Sequence, residues 1–221
     1  MKRTILALTA WLLLAPLALH AQKFHNDYYD TRRAAHDAEG IPAGSVVFMG
    51  NSITEQGWWN MLFRTPVVNR GIGGDNTFGM LDRLPDILAA QPTKIFLMAG
   101  VNDITGGQSV DTIAGNIARM ADLVREQAPG CRLYIQSVLP VSAKRMAYAY
   151  MKGHNPIIAR LNVRLAELCA GREGCTFVDI APLLADADGE LRTELTKDGI
   201  HLHPEAYVIW TECIKKHKYL K

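Results

Sequence analysis

The stretch Phe48-Met49-Gly50-Asn51-Ser52-Ile53-Thr54 decides the fold. Val46-Val47 lead into it, so its first half reads as a short buried strand. A glycine breaks the apolar run, and a serine stands two residues further on. A strand that ends in a Gly-x-Ser turn sets the hydroxyl at the carboxyl edge of a sheet, the edge at which open α/β sheets bind ligands. A serine hydroxyl is a poor nucleophile until a base takes its proton. The meaning of the turn therefore rests on whether the chain also supplies a base, an orienting acid and donors for an oxyanion.

Further strands follow at regular intervals. Residues 67–68 begin a second one, which runs into Asn69-Arg70-Gly71-Ile72-Gly73-Gly74-Asp75-Asn76-Thr77. Glycines crowded into that turn imply positive φ or close backbone approach. The spacing matches neither the dinucleotide fingerprint nor a P-loop. Residues 94–99 are apolar almost throughout, as suits a parallel strand covered on both faces, and end in Gly100-Val101-Asn102-Asp103. Residues 133–135 open a fourth strand, ended by Pro140, and residues 176–180 form the last.

Helical patterns lie between the strands. Residues 28–38 read as an N-terminal helix, closed by Gly40 and Pro42. Thr77 is a candidate cap for a helix with Met80, Leu84, Ile87 and Leu88 on one face, which Pro85 should kink or split. Ser109 caps a longer helix that Pro129-Gly130 stops. Asn155-Pro156 supplies a capping side chain and a first-turn proline, and Pro204 opens the final helix. Trp58 and Trp59 either pack a short helix on the core or put a tryptophan at a pocket mouth, and at least one is expected to pack. Residues 142–154, with Tyr148 and Tyr150, read as a long loop on the site side, a wall for substrate. Strands and helices alternate from residue 45 onward without repeats, which defines one α/β domain with a mostly parallel sheet.

The chain has 221 residues and a formal charge of +2. Lys2 and Arg3 precede an apolar run ending near Leu19-His20-Ala21, the pattern of a secretory signal peptide. The run is about 15 residues, short of the roughly 20 that a spanning helix needs, so an uncleaved anchor is the weaker reading. Residues 1–21 are thus expected to be removed, leaving a single domain over residues 22–221, secreted or periplasmic and without stable membrane insertion. Nothing in the charge pattern calls for nucleic acid. The basic run Lys215-Lys216-His217-Lys218 suits a solvated helix C-terminus. Export permits disulfides, and Cys169 and Cys175 flank a flexible stretch. A bridge between them and two separate buried thiols are both open readings.

Three turns now stand at one sheet edge, carrying Ser52, Gly73-Gly74 and Asn102. Asp198 and His201 lie three residues apart in the turn before the last helix, so both can reach one site. His201 can take the serine proton, and Asp198 can hold the imidazole tautomer and stabilise its cation. The backbone N–H groups of Ser52 and Gly74 and the side-chain amide of Asn102 can face an oxyanion. His201 and His203 also form a His-x-His, half of a metal site if read alone, but no further ligands at metal spacing accompany it. Asp75 and Asp103 read as turn-formers or supports, and Asp179 as an acid with no histidine beside it in sequence.

With these residues in view, the chain resembles the SGNH hydrolases, also called GDSL lipases and acylhydrolases. Gly50-Asn51-Ser52 matches the family's Gly-Asp-Ser block, and Gly74 its oxyanion glycine. Gly100-Val101-Asn102-Asp103 matches Gly-x-Asn-Asp, and Asp198-Gly199-Ile200-His201 matches Asp-x-x-His. The resemblance implies a three-layer α/β/α sandwich with a five-stranded, flavodoxin-like sheet, and ester hydrolysis without metal or other cofactor. Residues 69–75 are similar to the branch containing platelet-activating-factor acetylhydrolase subunits. The expected substrate is an acetyl or other short acyl ester on a carbohydrate or related small molecule. Lysophospholipase or thioesterase activity, or a carbohydrate-binding relative without turnover, are the alternatives. Asn51 departs from the family aspartate; the position holds no triad role, so a neutral swap and an altered hold on the serine turn are both open readings.

Overall fold

The computed structural model describes residues 24–220, so the expected signal peptide lies outside the described residues. Helix α1 (Asp27–Glu39) leads into strand β1 (Val46–Gly50), and the one-turn helices α2 (Ser52–Glu55) and α3 (Trp59–Leu62) follow. Then come β2 (Val67–Gly71), α4 (Thr77–Ala89), β3 (Lys94–Met98), α5 (Val101–Thr105) and α6 (Val110–Gln127). The chain closes with β4 (Arg132–Gln136), α7 (Asn155–Ala170), β5 (Cys175–Val178), α8 (Ala181–Leu184) and α9 (Pro204–Lys216). The sheet has five strands in the order β2-β1-β3-β4-β5, and every pairing is parallel. Helices cover both of its sides.

Burial explains the continuous apolar runs, since all five residues of β1 are buried. Register neighbours Phe48, Phe96 and Tyr134 stack across three strands, with centroids 4.7 and 4.6 Å apart. Trp59 lies on Phe48 at 4.5 Å and meets Trp210 of α9 edge-on at 4.9 Å. Of the two adjacent tryptophans, then, Trp59 packs the core and Trp58 is exposed.

The register also aligns the chemistry. Gly50 at the end of β1 pairs with Gly71 on one side and Met98 on the other, so the turns after β1, β2 and β3 leave the sheet at one level. The strand order reverses beside β1, the place where open α/β sheets form a crevice.

Three local expectations are corrected. Helix α4 is not split at Pro85 but continues through it to Ala89. The proline costs about 3 kcal/mol. Burial of Met80, Leu84, Ile87 and Leu88 offsets it, at about 1.5–3 kcal/mol for each large apolar side chain. The cap of α4 is Asn76, whose Oδ1 accepts the N–H groups of Phe78 and Gly79 at 3.0 and 3.2 Å; Thr77 is the first helical residue. Asn155 does not cap α7. Its amide clamps Val141 instead, accepting the Val141 N–H and donating to its carbonyl, both at 2.8 Å.

Candidate active site

Ser52 is the first residue of α2, directly after β1. Asn51 is buried before it, and its Oδ1 accepts the Ile53 N–H at 3.0 Å, capping the helix. A carboxylate oxygen could accept the same bond, so the asparagine preserves the turn. His201 Nε2 stands 3.0 Å from Ser52 Oγ, across 149 positions of sequence. His201 Nδ1 stands 2.7 Å from Asp198 Oδ2, while Asp198 Oδ1 accepts the N–H groups of Ile200 and His201 at 3.1 and 2.8 Å. Burial pushes the Asp198 carboxyl up, but the His201 ring and those N–H groups outweigh it and hold the pKa below the ordinary value. The carboxylate therefore stays ionised beside the ring.

The oxyanion candidates sit on the neighbouring turns. Gly74 has φ +77°, a conformation natural to glycine, and a Cβ there would meet nothing within 4 Å. Asn102 opens with α5, and its Nδ2 donates to the Asp75 carbonyl at 2.8 Å. A side-chain amide carries two N–H donors, so one remains for a ligand. Gly74 and Asn102 are thus linked through Asp75, the residue after Gly74.

Beneath them is a group the sequence reading missed. Arg83 on α4 is buried, and its guanidinium donates to Asp75 Oδ2 at 2.9 Å, to the Arg70 carbonyl at 2.8 Å and to the Gly50 carbonyl at 3.0 Å. One side chain therefore ties together the turn before Ser52, the end of β2 and the turn that carries Gly74. Burial pushes the Asp75 carboxyl up to about 6, with the Arg83 charge pulling it back. Asp103 plays a similar supporting part, since both its oxygens accept the Thr77 N–H, at 3.0 and 3.1 Å. The signal for Arg83 was present: it lies three residues after Met80, on the core face of an apolar helix. Tyr148 was placed in the right loop but not at the acid–base turn, where its hydroxyl donates to Asp198 Oδ2 at 3.4 Å.

The remaining candidates lie apart. His203 is the residue before α9 and holds the chain through its N–H to the Leu195 carbonyl. Among the described residues, no group of three or more His, Cys, Asp or Glu side chains comes together as a metal site would require. The Cys169 and Cys175 sulfurs come together, 2.8 Å apart. Hollows of about 600 and 620 Å³ lie around Arg33 and Arg70 and around Cys131 and Arg172, and neither is lined by Ser52, Gly74, Asn102, Asp198 or His201.

The five-stranded parallel sheet with helices on both sides is an α/β fold, and the comparisons with known proteins assign it to a family. The model of the GDSL-like lipase/acylhydrolase family matches residues 48–209, and the chain belongs to that family. It is 32% identical over 140 residues to an N-acylneuraminate cytidylyltransferase of Streptococcus agalactiae, covering 62% of this chain and 31% of that one. The chain thus spans about a third of the length of that relative. It is 27% identical to the platelet-activating factor acetylhydrolase IB subunit alpha1 of Pongo abelii, over 73% of this chain and 70% of that one. A solved GDSL-like lipase of Bacteroides thetaiotaomicron superposes with a TM-score of 0.70 at 26% identity, over 87% of this chain and 97% of that one.

Proposed function

We propose that this chain is an exported carboxylic ester hydrolase that removes acetyl or other short acyl groups from a carbohydrate or a related small molecule. The observation that carries the reading is the continuous line Ser52 Oγ–His201–Asp198, at 3.0 and 2.7 Å. His201 Nε2 takes the Ser52 proton as Oγ attacks the ester carbonyl. The carbonyl oxygen becomes an oxyanion facing the N–H groups of Ser52 and Gly74 and the free N–H of Asn102. His201 then returns the proton to the departing alcohol oxygen, leaving an acyl group on Ser52. Water, deprotonated by the same ring, releases the acid and restores the serine. Asp198 keeps the ring in the tautomer that presents a bare Nε2 to Ser52.

Family membership supports the ester chemistry. Two relatives' names support the substrate class: one is an acetylhydrolase, and the other acts on an N-acylneuraminate. Export rests on the sequence pattern of residues 1–21.

The test is hydrolysis of p-nitrophenyl esters from acetate to long chains, by the full chain and by Ser52→Ala. Turnover highest on acetate and lost by about 10⁴ in the variant is the expected result. Rates that climb with chain length would move the substrate to lysophospholipids or thioesters. Folded protein inert on every ester would favour a binding module.

A further inference from the structure

An ester has two halves, and the geometry assigns them to different sides. The acyl oxygen faces Gly74 and Asn102, while the alcohol takes its proton from His201 and so leaves along the His201 side. That side is lined by residues 142–154, a loop fixed to the acid–base turn. The Ser142 N–H donates to the Gly199 carbonyl and the Ala147 N–H to the Asp198 carbonyl, both at 2.9 Å. Gly199 has φ +97°, and a Cβ there would fall 2.7 Å from Met146 Cα, so only glycine lets the two backbones pass this closely. Asn155 and Asn162 hold the approach to the loop by clamping the backbones of Val141 and Val138.

From this anchored segment two aromatic rings project, the first of them beside the base. Tyr148 stands edge-on to His201, with ring centroids 6.4 Å apart at 83°. Tyr150 follows at 5.9 Å from Tyr148 and is 65% exposed. A tyrosine offers an apolar face with a polar tip and loses little rotamer freedom on binding. That suits the C–H face of a pyranose, whose hydroxyl rim needs polar partners at the ring edge. An aliphatic alcohol would make no use of the tips.

We propose that Tyr148 and Tyr150 form the subsite for the leaving alcohol, and that this alcohol is a sugar ring. The inference rests on the ester-hydrolase reading above and adds which half of the substrate is recognised, where, and by which residues.

The experiment compares kcat/KM for an O-acetylated methyl glycoside with kcat/KM for ethyl acetate, whose alcohol has no ring face to stack on a tyrosine. The full-length protein favours the glycoside ester. Tyr150→Ala lowers that preference about five- to tenfold, the scale of one stacked ring and its polar tip, whereas Tyr150→Phe keeps the ring, loses only the tip and lowers the preference about two- to threefold. Thermal melts confirm that both variants are folded. A preference unmoved by Tyr150→Ala, or unmodified protein that cleaves ethyl acetate but not the glycoside ester, overturns the subsite and leaves ester hydrolysis standing. Unmodified protein that cleaves neither overturns both.

Discussion

Arg83 meets the Ser52 turn at the Gly50 carbonyl and His201 meets it at Ser52 Oγ, and the two are held by different means. The Arg83–Asp75 pair is 2% and 0% exposed, and it joins the end of β1 to the end of β2 and the turn after it. The His201 and Asp198 side chains are 21% and 22% exposed, on a turn capped by Asp198 itself and tied through its backbone to residues 142 and 147. The oxyanion side is therefore fixed by the same buried network that holds the fold, whereas the acid–base side is a chemical group on a pre-formed turn. Changes on the first side should damage stability and rate together. Changes on the second should damage rate alone.

The largest effect belongs to the acid–base side. His201→Ala removes the base, and turnover of p-nitrophenyl acetate should fall by about 10⁴ while the melting temperature barely moves. A large loss of stability in that variant would break the contrast.

On the oxyanion side, Asn102→Ala deletes one donor and should lower kcat by about 10² to 10³. Arg83→Met deletes none, yet it loosens the turns that aim all three. It leaves Asp75 buried without its partner, so unfolding free energy should drop by about 3–5 kcal/mol in urea titrations. The double change Arg83→Met with Asp75→Asn removes both charges and should recover most of that stability, while kcat stays down by roughly 10² because the donors have lost their alignment. Full activity in the refolded double variant would show that the brace has no part in positioning.

The smallest effect is at Asn51. An aspartate there can accept the same Ile53 N–H, so Asn51→Asp should change kcat by less than about threefold. A loss greater than tenfold would mean that the amide itself is needed at the serine turn.

What was legible in the sequence follows the same division. Asp198 and His201 could be paired because their spacing brings them together within one turn. Ser52, Gly74 and Asn102 could be grouped because each follows an apolar strand, and parallel strands put such turns at one edge. The strand order and the helices over both faces agree with the three-layer sandwich that the resemblance implied. The place of Arg83 on a core face was legible from its helical spacing, but its partners were not, because its acceptors come from β1, β2 and the Gly74 turn. The contact of Tyr148 with Asp198 was hidden for the same reason, since it spans 50 positions. The misread caps were local contests that tertiary structure settled: Thr77 serves Asp103 instead of capping α4, and Asn155 serves Val141. Pro85, itself exposed, was outvoted by the buried apolar face on the other side of its helix.

The central claim is that His201 activates Ser52, and covalent labelling measures it most directly. The full chain is treated with a fluorophosphonate and analysed by intact-mass and peptide mass spectrometry. One adduct should form, on Ser52, at a rate that falls by at least about 10³ in His201→Ala. An adduct on another residue, or labelling of Ser52 at an undiminished rate without His201, would contradict the account.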